Sequence, residues 1–257
     1  MSKNFKKTAI NAALKAGRYI IKNIGRVRQV RDKGEINVVT EVDKKAEKII
    51  VGTISKIFPF HDFLGEEGKY RGNKSDFKWI IDPLDGTTNF LHTFPFFCVS
   101  VALTYRSDVL VGVVYDPVRN ELFCAEKGKG AFLNGKRIGI SKIRDIGKAL
   151  VATGFAYNVR EGGKKNIRNF TRLLKTAQAV RRAGSAALDM CYVACGRFDG
   201  FWEYYLHAWD TAAAVRIVEE AGGKITKLDG KKFSIYDKEI LVSNSKIHAQ
   251  MTQSLSG

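Results

Sequence analysis

The stretch Trp79-Ile80-Ile81-Asp82-Pro83-Leu84-Asp85-Gly86-Thr87-Thr88-Asn89-Phe90 decides how this chain is read. Trp79, Ile80 and Ile81 form an apolar strand end. Asp82 and Asp85 flank Pro83-Leu84, where proline fixes its own backbone and removes a donor. Gly86 permits a sharp turn. Two carboxylates are thus held close on a stiff loop at a strand end, where sites tend to be built. Gly86, Thr87 and Thr88 then offer backbone N–H groups at a helix start, a ready place for an anion. Two like charges about 4 Å apart repel by about 4 kcal/mol at an effective dielectric of 20, so such a cluster needs protons or cations. Hard oxygen ligands suit Mg²⁺ better than zinc. Read alone, the same pattern is equally an Asp-rich turn in which Asp85 caps a helix.

Two further segments carry acidic residues at element ends. In DFLGEEGKY (62–70), Glu66 and Glu67 follow a strand-like piece and a glycine. In LHAWDTAAAVRIVEEAGG (206–223), Asp210 opens an alanine-rich helix. Each has a plain reading: a solvated charged turn for the glutamates, and an N-cap for Asp210.

Around these segments the hydrophobic pattern predicts an amphipathic helix over about 4–24, with Ile10, Leu14, Ile20, Ile21 and Ile24 on its apolar face. A second helix follows Thr40 and ends before Phe58-Pro59. Strands follow at FKWIID, FFCVSVALTY, VLVGVVYD and ELFCAE, and Asn134-Gly135 marks a hairpin turn. From about residue 149 the pattern alternates. ALVAT, AVRR, DGFWE and ILVSN read as strands, and 164–175, SAALDMCYVAC, TAAAVRIVEEAGG and 246–255 as helices. A run of strands followed by strand–helix alternation predicts an α+β half, 1–145, joined to an α/β half, 146–257. With no linker between them, they are expected to pack as one unit.

Composition narrows the class. The chain has 257 residues, a formal net charge of +17 and basic residues spread along its length. Such an excess attracts anionic substrates or nucleic acid. No RNA-binding aromatic motif accompanies it. No apolar stretch is long enough for a signal peptide or a membrane span, so the chain reads as cytoplasmic. The four cysteines, Cys98, Cys124, Cys191 and Cys195, lack zinc-site spacing and read as buried free thiols. His61, His92, His207 and His248 are not spaced as a catalytic set.

The segments GEE (65–67), WIIDPLDGTTNF (79–90) and WDTAA with EAGG (209–223) resemble the signature segments of the inositol monophosphatase family. The similarity extends to NVVTEVDKKAEKII (37–50), GAFLNGKRI (130–138) and RRAGSAALDMCYVACGRFDGFWE (181–203), in family order. It implies a layered α-β sandwich (αβαβα), α+β in class, like the inositol monophosphatases and fructose bisphosphatases. It also implies Mg²⁺-dependent hydrolysis of a phosphate monoester, inositol 1-phosphate first, by metal-activated water. Fructose 1,6-bisphosphate or another sugar phosphate is the alternative substrate.

The resemblance implies two or three Mg²⁺ ions. Glu66, Asp82 and the Leu84 carbonyl would hold the first; Asp82, Asp85 and Asp210 would hold the second; Glu66 also touches a third. Thr87 would bond the attacking water, and the N–H groups of Gly86 and Thr87 would receive phosphate oxygens. Gly184, Ser185, Ala186 and Glu203 match the side of the pocket that takes the substrate alcohol, and Asp43 and Lys33 match positions near the metals. Arg181, Arg182 and the loop NVREGGKK (158–165) read either as help for a second phosphate or as solvated charge. Lithium sensitivity and a homodimer come with the resemblance, as does contact with nucleic acid or the transcription machinery, since some bacterial members act in antitermination. The chain departs from the best-known animal members in one residue fewer between Lys33 and Asp43, and in Gly68 where a serine is common.

Overall fold

The computed structural model describes residues 4–25, 30–32, 38–68, 70, 72–155 and 164–256. Lys33 and most of the 158–165 loop lie outside them. The first helix, α1 (Phe5–Asn23), starts where the Asn4 side chain accepts the Lys7 amide at 3.1 Å. A short antiparallel pair, β1 (Val30–Asp32) and β2 (Val38–Thr40), leads into α2 (Glu41–Ser55).

A seven-stranded sheet follows: β3 (Asp62–Gly65), β4 (Phe77–Asp85), β5 (Cys98–Tyr105), β6 (Asp108–Asp116), β7 (Glu121–Glu126), β8 (Ala131–Leu133) and β9 (Lys136–Arg137), hydrogen-bonded in that order. Only β3 and β4 run parallel; the remaining neighbours are antiparallel. The five-residue helix α3 (Thr87–Leu91) interrupts the chain between β4 and β5. Asn134 (φ 48°) and Gly135 (φ 78°) close the β8–β9 hairpin at the predicted turn.

The second sheet holds β10 (Leu150–Thr153), β11 (Ala179–Arg181), β12 (Gly200–Tyr204), β13 (Lys224–Thr226) and β14 (Glu239–Ser243), in the order β11-β10-β12-β14-β13. Its helices are α4 (Lys164–Thr176), α5 (Ala186–Ala194), α6 (Ala208–Glu220) and α7 (His248–Ser256). The sheet is mixed. β10 pairs parallel with β11 and β12, while β14 pairs antiparallel with β12 and β13. The chain between β13 and β14 contains no helix, so it cannot make the crossover that parallel pairing requires. The strand β13 carries too few apolar residues to have stood out in the sequence.

These elements stack in five layers, helix–sheet–helix–sheet–helix. Alternation along β5 shows how. Val99, Val101 and Leu103 join the core shared with α1 and α2, whereas Cys98 and Ala102 join the core shared with α5 and α6. All nine residues of α5 are buried, as befits a helix with sheets on both sides. The alanine run of α6 meets Gly112 on β6, where a methyl group would land on the Ala213 carbonyl. Helix α6 therefore lies almost on the sheet backbone. A third core, with Leu173, Trp202, Leu241 and Met251, seats α4 and α7 on the outer face of the five-stranded sheet. Among the described residues no helix is long and apolar enough to cross a membrane.

The cysteines are unbridged; Cys98, Cys124 and Cys191 are buried, and Cys195 is half-buried rather than buried as its sequence suggests. His61 stacks on Phe58 and Phe77 and accepts the Trp79 indole N–H at 3.1 Å. His248 binds Ser243 Oγ through Nδ1 (2.8 Å) and Thr226 Oγ1 through Nε2 (2.9 Å), joining α7 to β14 and β13.

Burial, with Lys224 nearby, pushes the His248 pKa down from 6.5 to about 4. As pH falls below 6.5 the unfolded chain takes up this proton first, so stability is full above that value and is lost as pH falls towards 4. We expect unfolding at pH 5 to need about 1–2 kcal/mol less than at pH 7 through this group. Urea melts of wild type and His248→Gln will measure it. The substitution should flatten the pH dependence, and an unchanged slope would count against the assignment.

Candidate active site

β4 sets the site. It pairs with β5 through Asp82↔Ser100 and then Asp85↔Cys98, with the register broken between them at Pro83-Leu84. Proline has no N–H for the ladder, so the strand bulges there and both aspartates reach the same end of the sheet. Asp82 is 2% exposed, and its Oδ1 accepts the Leu84 amide at 2.9 Å. Thr87 donates its hydroxyl to the Leu84 carbonyl at 3.0 Å.

Gly86 caps α3 with φ at 95°. A methyl group there would meet the Phe96 carbonyl at 3.0 Å, Phe97 Cβ at 3.1 Å and the Gly184 carbonyl at 3.2 Å. Both backbone angle and space therefore demand glycine. Asn89 donates to the carbonyls of Phe96 (2.7 Å) and Ala183 (2.8 Å), fastening the α3 turn to the segment before α5.

That segment closes on Asp85. One carboxylate oxygen of Asp85 accepts the Ser185 hydroxyl at 2.6 Å and the Ala187 amide at 2.8 Å. Ser185 is also the N-cap of α5, accepting the Leu188 amide. The expected Gly184-Ser185-Ala186 turn is thus brought against the aspartate pair. Asp210, in the first turn of α6, accepts the His207 amide at 2.6 Å. His207 stacks on Trp209 with ring centroids 4.6 Å apart, and His92 is exposed at the end of α3. Glu66 follows β3, its amide bonded to the Ile81 carbonyl at 3.3 Å. Asp43 is buried in the first turn of α2. Lys33 lies outside the described residues.

The electrostatics show which groups converge. Burial first, then Glu66, Asp85 and Asp210, push the Asp82 carboxyl well above its usual range. Asp85 is pushed up to about 7, chiefly by burial, against the lowering effect of the Ser185 hydroxyl. Glu203 on β12 is raised by burial, then by Asp210 and Asp85, with Arg182 opposing. Glu66, Asp82, Asp85, Asp210 and Glu203 therefore lie close enough to act on one another, with Asp82 and Glu203 the buried members. No three acidic, His or Cys side chains among the described residues converge tightly enough to hold a metal as they stand. The chemistry of the set nevertheless fits a hard cation. Its donors are oxygens only, and each negative charge raises the cost of the next.

One residue of this neighbourhood was not singled out from the sequence. Asp189 lies inside α5, is 1% exposed, and its Oδ1 has no hydrogen-bond partner. Burial, Glu203 and Asp85 raise its carboxyl. The available signal was a carboxylate in the middle of the apolar run SAALDMCYVAC. An open groove of 430 Å³ between α1 and α2, lined by Asn11, Lys15, Lys48 and Lys56 among others, contains none of these carboxylates.

A five-layer fold with an acidic strand-end site is the build of one class of phosphatases, and comparison with known proteins places the chain in it. The inositol monophosphatase family matches residues 1–256, and the chain belongs to it. It is 43% identical over 250 residues to an inositol-1-monophosphatase of Synechocystis, covering 96% of this chain and 87% of that one. It is also 43% identical over 242 residues to the Nus factor SuhB of Escherichia coli, covering 93% and 91%. The crystal structure of the extragenic suppressor protein suhB from Bartonella henselae superposes with a TM-score of 0.93 at 41% identity, covering 97% of each chain.

Gly86→Ala should lower stability by about 1–3 kcal/mol, from strain at positive φ plus the contacts named above. Gly52→Ala should do the reverse. Gly52 lies in α2 with nothing within 4 Å of an added methyl, so alanine there should add about 0.5–1 kcal/mol. Thermal melts of the pair decide. A Gly86→Ala protein as stable as wild type would refute the steric account.

Proposed function

We propose that this protein hydrolyses a phosphate monoester with Mg²⁺, inositol 1-phosphate being its substrate. The observation that carries the reading is the buried Asp82 carboxylate, ringed by Glu66, Asp85 and Asp210, in a chain that matches the family over almost its full length. Glu66, Asp82 and the Leu84 carbonyl would hold one ion and Asp82, Asp85 and Asp210 a second, with Glu66 reaching a third. When bound, such ions neutralise phosphoryl oxygens and lower the pKa of the attacking water.

The chain's own groups orient the rest. The Thr87 hydroxyl spends its proton on the Leu84 carbonyl, which leaves its lone pairs to accept from the attacking water. Glu66 orients that water from the β3 side. The amides of Gly86 and Thr87 receive phosphate oxygens. The Gly184-Ser185-Ala186 turn and Glu203 take the alcohol, whose hydroxyl groups donate to the carboxylate. Phosphoryl transfer asks for this combination of positioning and charge neutralisation rather than a covalent nucleophile.

The test is phosphate release from inositol 1-phosphate, fructose 1,6-bisphosphate, an adenosine bisphosphate and NADP. We expect the highest kcat/KM on inositol 1-phosphate and loss of turnover in EDTA. Asp82→Asn should cost at least about 10³-fold in kcat, because charge stabilisation of this kind is the largest single contribution to such reactions. Full turnover without divalent metal would sink the reading, and preference for fructose 1,6-bisphosphate would move the substrate to sugar phosphates. Lithium should inhibit more strongly at saturating substrate, and sedimentation should give a homodimer. We place the protein in the cytoplasm.

The similarity to Nus factors and the charge of +17 favour a second reading, a binding role beside catalysis. RNA binding by the inactive Asp82→Asn variant separates the two. We expect weak binding that weakens further with salt, as counterion release dictates. Tight, sequence-selective binding at physiological salt would place the interaction above catalysis.

A further inference from the structure

Glu47 lies in α2 and is 2% exposed, yet it is far in sequence from every ligand proposed above. Both of its carboxylate oxygens are used by residues that follow β3. Oε2 accepts the Glu67 amide at 3.0 Å, and Oε1 accepts the Tyr70 hydroxyl. Burial and the Glu47 carboxylate push the Tyr70 hydroxyl up, so it remains a donor.

The glycines on either side of Glu66-Glu67 are shaped to the same carboxylate. A methyl group on Gly65 would collide with it, and one on Gly68 would stand 2.6 Å from Glu47 Oε1 and 2.6 Å from the Tyr70 ring. On the opposite side the Glu66 amide is fixed to the Ile81 carbonyl, next to Asp82. Glu66 therefore sits between two anchors, one on β4 and one on a helix.

We propose that Glu47 is a positioning residue, holding Glu67 and Tyr70 so that Glu66 faces the Asp82 end of β4. This rests on the reading of Glu66 as a metal ligand. Chain that leaves a strand end without regular hydrogen bonding, as Glu66–Gly68 does, has many conformations open to it. Ordering it only when the cation arrives would subtract from the affinity. Glu47 has the ordering done beforehand, from a helix that packs against the sheet.

The role requires acceptor geometry and not charge at the metal. Glutamine keeps most of it: the amide oxygen accepts from Glu67 N–H, and the amide NH₂ donates to the Tyr70 oxygen. Alanine keeps none. The two substitutions therefore separate positioning from electrostatics.

The experiment uses the full chain with Glu47→Gln, Glu47→Ala, Tyr70→Phe and Glu66→Gln. Mg²⁺ affinity is measured by calorimetry, and exchange of the Glu67 amide is followed without metal. Glu47→Ala should weaken Mg²⁺ roughly ten- to hundredfold and speed exchange of that amide, whereas Glu47→Gln should stay within about threefold of wild type. Equal losses in the glutamine and alanine variants would show that charge, not geometry, matters and would overturn the proposal. So would wild-type affinity in Glu47→Ala. Tyr70→Phe removes one anchor from a half-buried site and decides if Glu47→Ala does not fold. It should weaken Mg²⁺ by about threefold and loosen the Glu67 amide, and unchanged values overturn the proposal. Glu66→Gln tests the underlying reading: if it binds Mg²⁺ as wild type does, Glu66 is not a ligand and the positioning proposal falls with it. If Glu66→Gln loses affinity while the Glu47 variants do not, only the positioning proposal fails.

Discussion

One carboxylate oxygen of Asp85 receives the Ser185 hydroxyl and the Ala187 amide, from a segment 100 residues further along the chain. The site depends on that contact. Asp85 ends a strand of the seven-stranded sheet, and Ser185 caps the helix buried between the two sheets. Without it, the carboxylates of β4 would belong to one half of the molecule and the Gly184–Ala186 turn, Glu203 and Asp210 to the other. Asn89 duplicates the link from the α3 turn. Two hydrogen-bonded bridges, one to the start of α5 and one to the segment just before it, hold the groups at one seam with little side-chain freedom left to lose.

The same arrangement explains why the acidic side chains tolerate burial. Desolvation is the largest influence on Asp82, Asp85, Asp189 and Glu203 alike, larger than the effect of any single neighbour. A buried carboxylate with no counter-charge takes up a proton rather than bear that cost. Here the hydrogen bonds to Asp85 and the Leu84 amide on Asp82 oppose protonation only in part. The residual instability of so many negative groups is what a hard cation would relieve, so the protein's own structure leans towards binding one. Arg182 is the basic group set against both Asp189 and Glu203, on the side where the substrate alcohol is proposed to sit.

Much of this was legible in the sequence because local rules and global fold agree there. The apolar run ending in Asp-Pro-Leu-Asp-Gly specified a strand, a break and a turn, and the structure has all three. The alanine run after Asp210 read as a helix, as the structure has it, and Gly112 adds how closely those small side chains let it approach the sheet. What escaped were features defined by partners distant in sequence. Glu47 looks like any solvent-facing glutamate on a lysine-rich helix until β3 is laid beside it. Asp189 reads as an oddity in an apolar helix until Glu203 and Arg182 are near. The antiparallel course of β14 followed from a missing crossover helix, an absence that strand propensity does not register. Asn89 is one polar residue in a loop until its two carbonyl partners are known.

The distribution of charge has a consequence that the net figure conceals. Asp43, Glu47, Asp62, Asp82, Asp116, Asp189, Asp199 and Glu203 are buried, whereas Arg216 is the one Lys or Arg buried among the described residues. Arg216 is itself paired with Asp108 and Glu219. Among the described residues eight acidic side chains are thus drawn inwards against one basic one, so the solvent-facing surface is more basic than +17 suggests. An anion approaching from solvent meets an attractive field over much of the surface, screened beyond about 8 Å at physiological salt. At the seam the carboxyls of Asp82, Asp85, Asp189 and Glu203 are raised, so without a cation they shed charge by taking up protons. A phosphate monoester therefore gains from the surface on approach, and at the seam it meets acids whose protons a hard cation would displace. The basic exterior draws the anion in from a distance, while the acidic interior makes the charge it meets on arrival depend on what the carboxyls hold, protons or a cation.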